Sequence, residues 1–228
     1  MSIVSASLPR KTTWALFIAS AVGIALYSVP PYLTLDPALS KIPLNRAHLS
    51  HLLWISIHGV PGAVALVIGP FQLLAGFRSR FPRWHRYLGR VYVVVVVIGS
   101  IAGLVAALMS TSGIPAQIGF VLLALAWMFT MWKGYRAARA RRFADHRIWM
   151  IRNYALTFAA VALRVFLGLG GIAMAIWPQV TFSDIYLASI WGSILVCAVL
   201  AEWLFVSPSP RNNLALGGRR PLDKADAT

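Results

Sequence analysis

The sequence predicts an all-α, polytopic bundle of six transmembrane helices, and three observations predict it. Hydrophobic residues fill 59% of 228 positions and mean hydropathy is +0.72, beyond what a water-soluble domain carries. Six apolar stretches of about 18–28 residues each are long enough to cross a ~30 Å hydrocarbon core. The 21 Lys and Arg residues crowd into alternate connections, as topogenic loops do.

The first stretch, about residues 13–33, follows Arg10-Lys11 and is too long for the apolar region of a cleaved signal peptide, so it reads as a signal anchor. It ends at Val29-Pro30-Pro31. The loop to Ser50 contains Asp36-Pro37, Pro43 and Asn45, which is turn chemistry. The second stretch, about 52–76, holds His58-Gly59-Val60-Pro61-Gly62 and Gly69-Pro70-Phe71-Gln72. Each proline frees a backbone carbonyl one turn earlier, so this helix is expected to be kinked and packed inside the bundle. The remaining stretches are about 88–108, 116–133, 148–175 and 185–206. Gly99 with Gly103, Ala155 with Ala159, and Gly168 with Gly171 have the spacing of close helix contacts; room for a flat ligand is the alternative. Residues 1–12 read as a cytoplasmic N-terminus, 13–206 as the membrane domain, and 207–228, rich in Pro, Asn, Gly and charge, as a disordered tail. No length remains for an extramembrane catalytic domain.

Seventeen of the 21 basic residues fall in segments 1–12, 77–90, 133–147 and 207–228; the opposite loops carry only Lys41 and Arg46. The positive-inside rule places both termini in the cytoplasm. Distributed this way, the net charge of +15 points to anionic headgroups of the bilayer and not to nucleic acid. The single cysteine, Cys197, forms neither an internal disulfide nor a thiolate cluster. There is no Walker loop, dinucleotide fingerprint, His-Glu-x-x-His or serine-elbow motif, so hydrolase and nucleotide-driven activities have no support.

The two remaining basic residues, Arg152 and Arg164, lie inside the fifth stretch. A charge near the bilayer centre costs about 2.5–3.5 kcal/mol on insertion scales, which makes Arg164 a functional candidate. At 100° per residue His146, Asn153, Thr157 and Arg164 form one polar stripe reaching mid-membrane. Glu202, near the end of the sixth stretch, matches Arg152 in depth and is its expected partner. Arg164 is left to carbonyls freed by Pro61 or Pro70, to water, or to a non-protein anion such as a propionate, a quinone oxygen or a lipid phosphate.

Histidines supply the other candidates. Trp84-His85-Arg86 through Arg90 and Tyr92 is echoed by Asp145-His146-Arg147 through Arg152 and Tyr154, each opening a helix from the basic side. The echo is compatible with parallel two-helix repeats and with chance. His85 and His146 could hold a haem iron from both faces, with Arg86, Arg90, Arg147 or Arg152 near the propionates. Headgroup-level anchoring and anion binding are the alternatives. His48, His51 and His58, with Met109, Asp36 or Asp184 nearby in depth, form a weaker metal-like set, or a polar helix end.

His58-x-x-Pro-Gly, Gly69-Pro70-Phe71-Gln72, His85-Arg86-x-x-Gly89-Arg90-x-Tyr92 and His146-Arg147-x-Trp149-Met150-x-Arg152, followed by Arg164 and Ala201-Glu202, resemble a bacterial family of predicted membrane proteins, domain of unknown function 2306. The resemblance covers about residues 50–205 and implies a multi-pass protein of the bacterial inner membrane with no assigned activity. A looser similarity runs to cytochrome b561 and ferric-reductase type bundles, where paired histidines hold two b haems. It implies an inner haem pair at His85 and His146; the outer pair is incomplete, with His58 alone. The leading expectation is a b-type haem protein exchanging electrons with a quinone or redox partner, Arg152 or Arg164 lying near a propionate or the quinone. The alternatives are a non-enzymatic carrier or binder of a small anionic or lipid-like ligand, and a structural membrane component. A homodimer is compatible with either.

Overall fold

The computed structural model describes residues 10–207, and in these the chain is all helix and connection. The termini expected to be cytoplasmic lie largely outside the described residues. Eight α-helices run in chain order: α1 (Arg10–Ser28), α2 (Pro30–Leu33), α3 (His51–Leu73), α4 (Ala75–Arg80), α5 (Pro82–Leu108), α6 (Ile114–Arg139), α7 (Phe143–Ile176) and α8 (Phe182–Ala201). A π-turn, Glu202–Val206, extends α8.

Among the described residues five helices are long and apolar enough to cross a membrane: α3, α5, α6, α7, and α8 with its π-turn. The first of the six expected spans is not among them. Its helix α1 begins with Arg10-Lys11-Thr12-Thr13 and stops before Val29, where the Pro30-Pro31 pair starts the separate turn α2. Several helices also outrun their apolar stretches at the basic end. α5 starts at Pro82 and α7 at Phe143, because a helix continues into water as long as its backbone stays paired. Proline at the first or second helical position opens α5 and α6, where a missing N–H costs nothing. A reciprocal capping box between Thr181 and Asp184 opens α8.

The long helices form successive antiparallel neighbours, α3–α5–α6–α7, and contacts between α3 and α7 close this four-helix core. α1 lies in the groove between α3 and α7, and α8 packs on α7 and α6. Phe17 of α1 stacks on Phe158 of α7 with ring centroids 4.6 Å apart. The core centres on Tyr92, Val96, Trp127, Met131, Leu66 and Tyr154, whereas Val94, Ile101, Leu169, Ile172 and Val199 face outward. Large exposed apolar side chains along every long helix are what a lipid-facing surface requires.

Proline 70 shows how the kinked helix is accommodated. It leaves the Leu66 carbonyl without its intrahelical donor, and the Tyr154 hydroxyl of α7 donates to that carbonyl at 2.9 Å. Gly69 makes the approach feasible: a Cβ there would fall on the Tyr154 ring. Gly69, Pro70 and Tyr154 thus act as one unit joining α3 to α7.

Candidate functional site

The polar stripe expected on α7 divides into two parts with different work. Its lower part is a closed network at the centre of the bundle. Asn153, fully buried, donates from Nδ2 to the Trp127 carbonyl at 2.8 Å and to Thr130 Oγ1 at 2.9 Å. Its Oδ1 accepts from the Tyr92 hydroxyl at 2.9 Å. Thr157 Oγ1 accepts from Trp127 Nε1 at 2.8 Å and donates to the Asn153 carbonyl at 3.0 Å. Every polar atom of Asn153 and Thr157 has a partner, so the network stitches α5, α6 and α7 together. A satisfied polar cluster of this kind adds rigidity and specificity without inviting a ligand.

The upper part is different. Above Thr157 and Trp127 lies a cavity of about 250 Å³. His58 and Gly62 of α3, Gly103 of α5, Trp127 of α6 and Arg164 of α7 contribute to its wall; the rest is mostly apolar. Arg164 is partly buried and makes one protein hydrogen bond, from Nη1 to the Ala160 carbonyl on its own helix at 3.1 Å. Tyr32 and Tyr186, which also line the cavity, lie within electrostatic reach of Arg164. All four acidic side chains among the described residues are engaged elsewhere. Asp36 caps Ala38, Asp145 pairs with Arg142, Asp184 caps α8 and Glu202 pairs with Arg152. The Leu66 carbonyl freed by Pro70 is taken by Tyr154. Arg164 stands 12 residues, about 18 Å, from the end of α7 and lies near Tyr32 and Tyr186. That depth is close to the middle of a ~30 Å hydrocarbon core.

The close contacts expected at Gly99 and Gly103 are present. A Cβ at Gly99 would lie 3.0 Å from the Trp127 ring, and one at Gly103 would lie 2.6 Å from His58 Nδ1. Trp127 and His58 occupy that space, and His58 Nδ1–H donates to the Gly99 carbonyl at 2.8 Å. Gly168 and Gly171 meet nothing within 4 Å; the close α7–α8 contact is at Gly170, against Ile185. Spacing alone does not say which way a glycine faces.

The remaining candidates separate by position. His51, buried, accepts at Nδ1 from the Asn45 backbone at 2.9 Å, and Asn45 Nδ2 reaches the Met109 carbonyl at 2.8 Å. The pair ties the loop before α3 to the end of α5. No group of three metal-ligating side chains converges among the described residues. His85 and His146 lie at the basic end, within electrostatic reach of each other, and neither lines the cavity. His146 Nδ1 is 2.9 Å from the Gly134 carbonyl, while His85 Nδ1 is buried without a protein partner. Arg152 meets Glu202 with a two-pronged bond, Nε to Oε1 at 2.5 Å and Nη2 to Oε2 at 3.1 Å, over the face of Trp149. The expected pairing of Arg152 with Glu202 is present, and it occupies one edge of that guanidinium.

Three site residues carried no sequence signal of their own: Trp127 in the cavity floor, Ser28 in its wall, and Tyr154 beside it. In the sequence Tyr154 stands only within the helix-opening echo, although Pro70 requires that some donor approach the carbonyl it frees.

An all-helical bundle of long apolar helices with an arginine in a mostly apolar cavity has the character of a multi-pass membrane protein. The chain belongs to the predicted membrane protein family DUF2306, whose model matches residues 55–205. This span contains α4 to α8 entire and most of the residues around the cavity. No match was found among curated proteins or among solved structures.

Proposed function

We propose that the protein is a membrane-embedded binder or carrier of an anionic, lipid-like ligand whose head pairs with Arg164. One observation carries this reading. A guanidinium faces an apolar cavity while every acidic side chain in the described residues is committed elsewhere. Arginine stays charged in proteins, and an unpaired charge in low dielectric is costly enough that such residues pair or serve a ligand. In this reading α1 spans the membrane as a sixth helix, both termini face the cytoplasm, and the location is the bacterial inner membrane. Arginines 78, 80, 83, 86 and 90, with the cluster from Lys133 to Arg147, support that orientation.

The test is native mass spectrometry of the full chain released gently from membranes. An anionic adduct of the parent protein, missing from folded Arg164→Gln, is the expected result. An adduct retained by the variant would remove Arg164 from the site. Reporter fusions at either terminus check the orientation; a periplasmic signal from either would overturn it.

A second reading is a b-type haem held at the basic end. It is favoured by His146, whose Nδ1 bond to Gly134 leaves Nε2 as the free ring nitrogen, and by the partnerless Nδ1 of nearby His85. The residues fit as a neutral imidazole pair; a haem would supply one-electron chemistry, and the two histidines would hold and orient it, exchanging electrons with a quinone or redox partner. An oxidised-minus-reduced visible spectrum of protein from haem-replete cells decides this. A reduced α band lost in His85→Ala and His146→Ala is expected, and a colourless folded protein would sink the reading.

A further inference from the structure

We infer that the ligand of the Arg164 cavity is a single-chain monocarboxylate, a conclusion that rests on the anion-binding reading above and specifies its chemistry. Three features of the site lead there. First, Arg164 uses only Nη1 within the protein, toward Ala160. The Nε and Nη2 edge remains available, and this flat fork matches the two oxygens of one carboxylate. Second, the charge count is one. With no acid in the wall, a monoanion leaves the cavity neutral, a dianionic phosphate monoester leaves a net negative charge, and a zwitterion leaves its cation unpaired. Third, the space is small and apolar. A volume of about 250 Å³ falls below the roughly 300–1,000 Å³ of drug-sized pockets, which suits one short chain better than the two chains of a phospholipid.

The wall has a place for each part. Tyr32 and Tyr186, which line the chamber within electrostatic reach of Arg164, add no formal charge at the head end. His58 commits Nδ1–H to Gly99 and adds no second formal charge as the neutral tautomer. Ala63, Leu66, Ala124 and Ile190 supply apolar surface for a tail, with Trp127 closing one end. Gly62 also lines the chamber, and a Cβ at that position meets nothing within 4 Å.

The experiment uses the full chain in nanodiscs and radiolabelled decanoate, read by scintillation proximity, with competitors sharing the ten-carbon chain. Decanoate should bind saturably. Decyl phosphate should compete about tenfold more weakly, and decanol and decyltrimethylammonium not at all. Loss of a bidentate charged bond corresponds to about tenfold or more in affinity. Arg164→Gln should therefore bind at least about tenfold more weakly, and Arg164→Lys, which keeps the charge without the fork, should lose a similar factor. Gly62→Leu puts a side chain into the chamber while leaving the arginine in place, and should abolish binding with the melting temperature near the parent's. This second variant separates a lost site from a lost fold. In a parallel assay with radiolabelled decyl phosphate, saturable binding of that probe with none of decanoate would overturn the carboxylate assignment and leave the anion reading standing. Equal competition by decanol, unchanged binding in Arg164→Gln, or no binding of any anionic probe would overturn both. Full decanoate binding by Gly62→Leu would remove the tail from this chamber.

Discussion

Replacing Asn153 by alanine is the most direct perturbation of the bundle's centre. The side chain is fully buried and makes three hydrogen bonds, to Trp127, Thr130 and Tyr92. Interhelical hydrogen bonds in membrane proteins average about 0.6 kcal/mol and reach about 1.7. Three of them sum to about 2 kcal/mol, and the small cavity left behind raises the expected loss to about 2–4 kcal/mol. Tyr92→Phe should cost less, about 1 kcal/mol, because Thr157 keeps its bond from Trp127. The two substitutions should not add, since Tyr92 and Asn153 share a bond; the coupling should be about 0.5–1 kcal/mol. Reversible unfolding in mixed dodecylmaltoside–SDS micelles, followed by tryptophan fluorescence, measures all three, with Ile101→Ala on the outward face as control. If Asn153→Ala lies within about 0.5 kcal/mol of Ile101→Ala, the network does not hold α5, α6 and α7 together and the reasoning fails.

Other outcomes follow from the same contacts. Gly69→Ala drives a methyl into the Tyr154 ring and should lower stability by about 1–3 kcal/mol, whereas Gly171→Ala, facing open space, should be neutral or slightly stabilising in the same assay. Tyr154→Phe removes the donor to the Leu66 carbonyl and should cost about 1 kcal/mol; a thermal midpoint unchanged from the parent would mean that another donor serves that carbonyl. The Arg152–Glu202 pair is 31% and 45% exposed, so a double-mutant cycle with Arg152→Gln and Glu202→Gln should show coupling below about 1 kcal/mol, weakened further by salt. Decanoate at saturating concentration should raise the melting temperature of the parent but not of Gly62→Leu, because only a ligand that binds the folded state shifts the midpoint.

The division of labour along α7 explains why the stripe misleads as a single feature. Asn153 and Thr157 are wrapped by α5 and α6, where neighbouring polar groups complete every bond. Arg164, two turns beyond Thr157 on a nearby face, meets instead the cavity lined by α3, α5, α6 and α8, with Trp127 as its floor. Identical periodicity therefore serves a structural seam at one depth and a charged cavity at another.

The sequence by itself determined the all-helical class, the succession of long apolar helices, the crowding of arginines at one end and the pairing of Arg152 with Glu202. These follow from composition, length and depth, which are properties read along one dimension. Only the tertiary structure decided that Trp127 and His58 fill the space beside Gly99 and Gly103, that Tyr154 answers the carbonyl freed by Pro70, that Gly170 and not Gly168 or Gly171 meets α8, and that Arg164 opens into a cavity away from His85 and His146. The physical reason is rotational. The helical period says which residues share a face, but the neighbour met by that face is set by how six helices pack around one another, and an aromatic ring from a distant segment can take the space a glycine leaves.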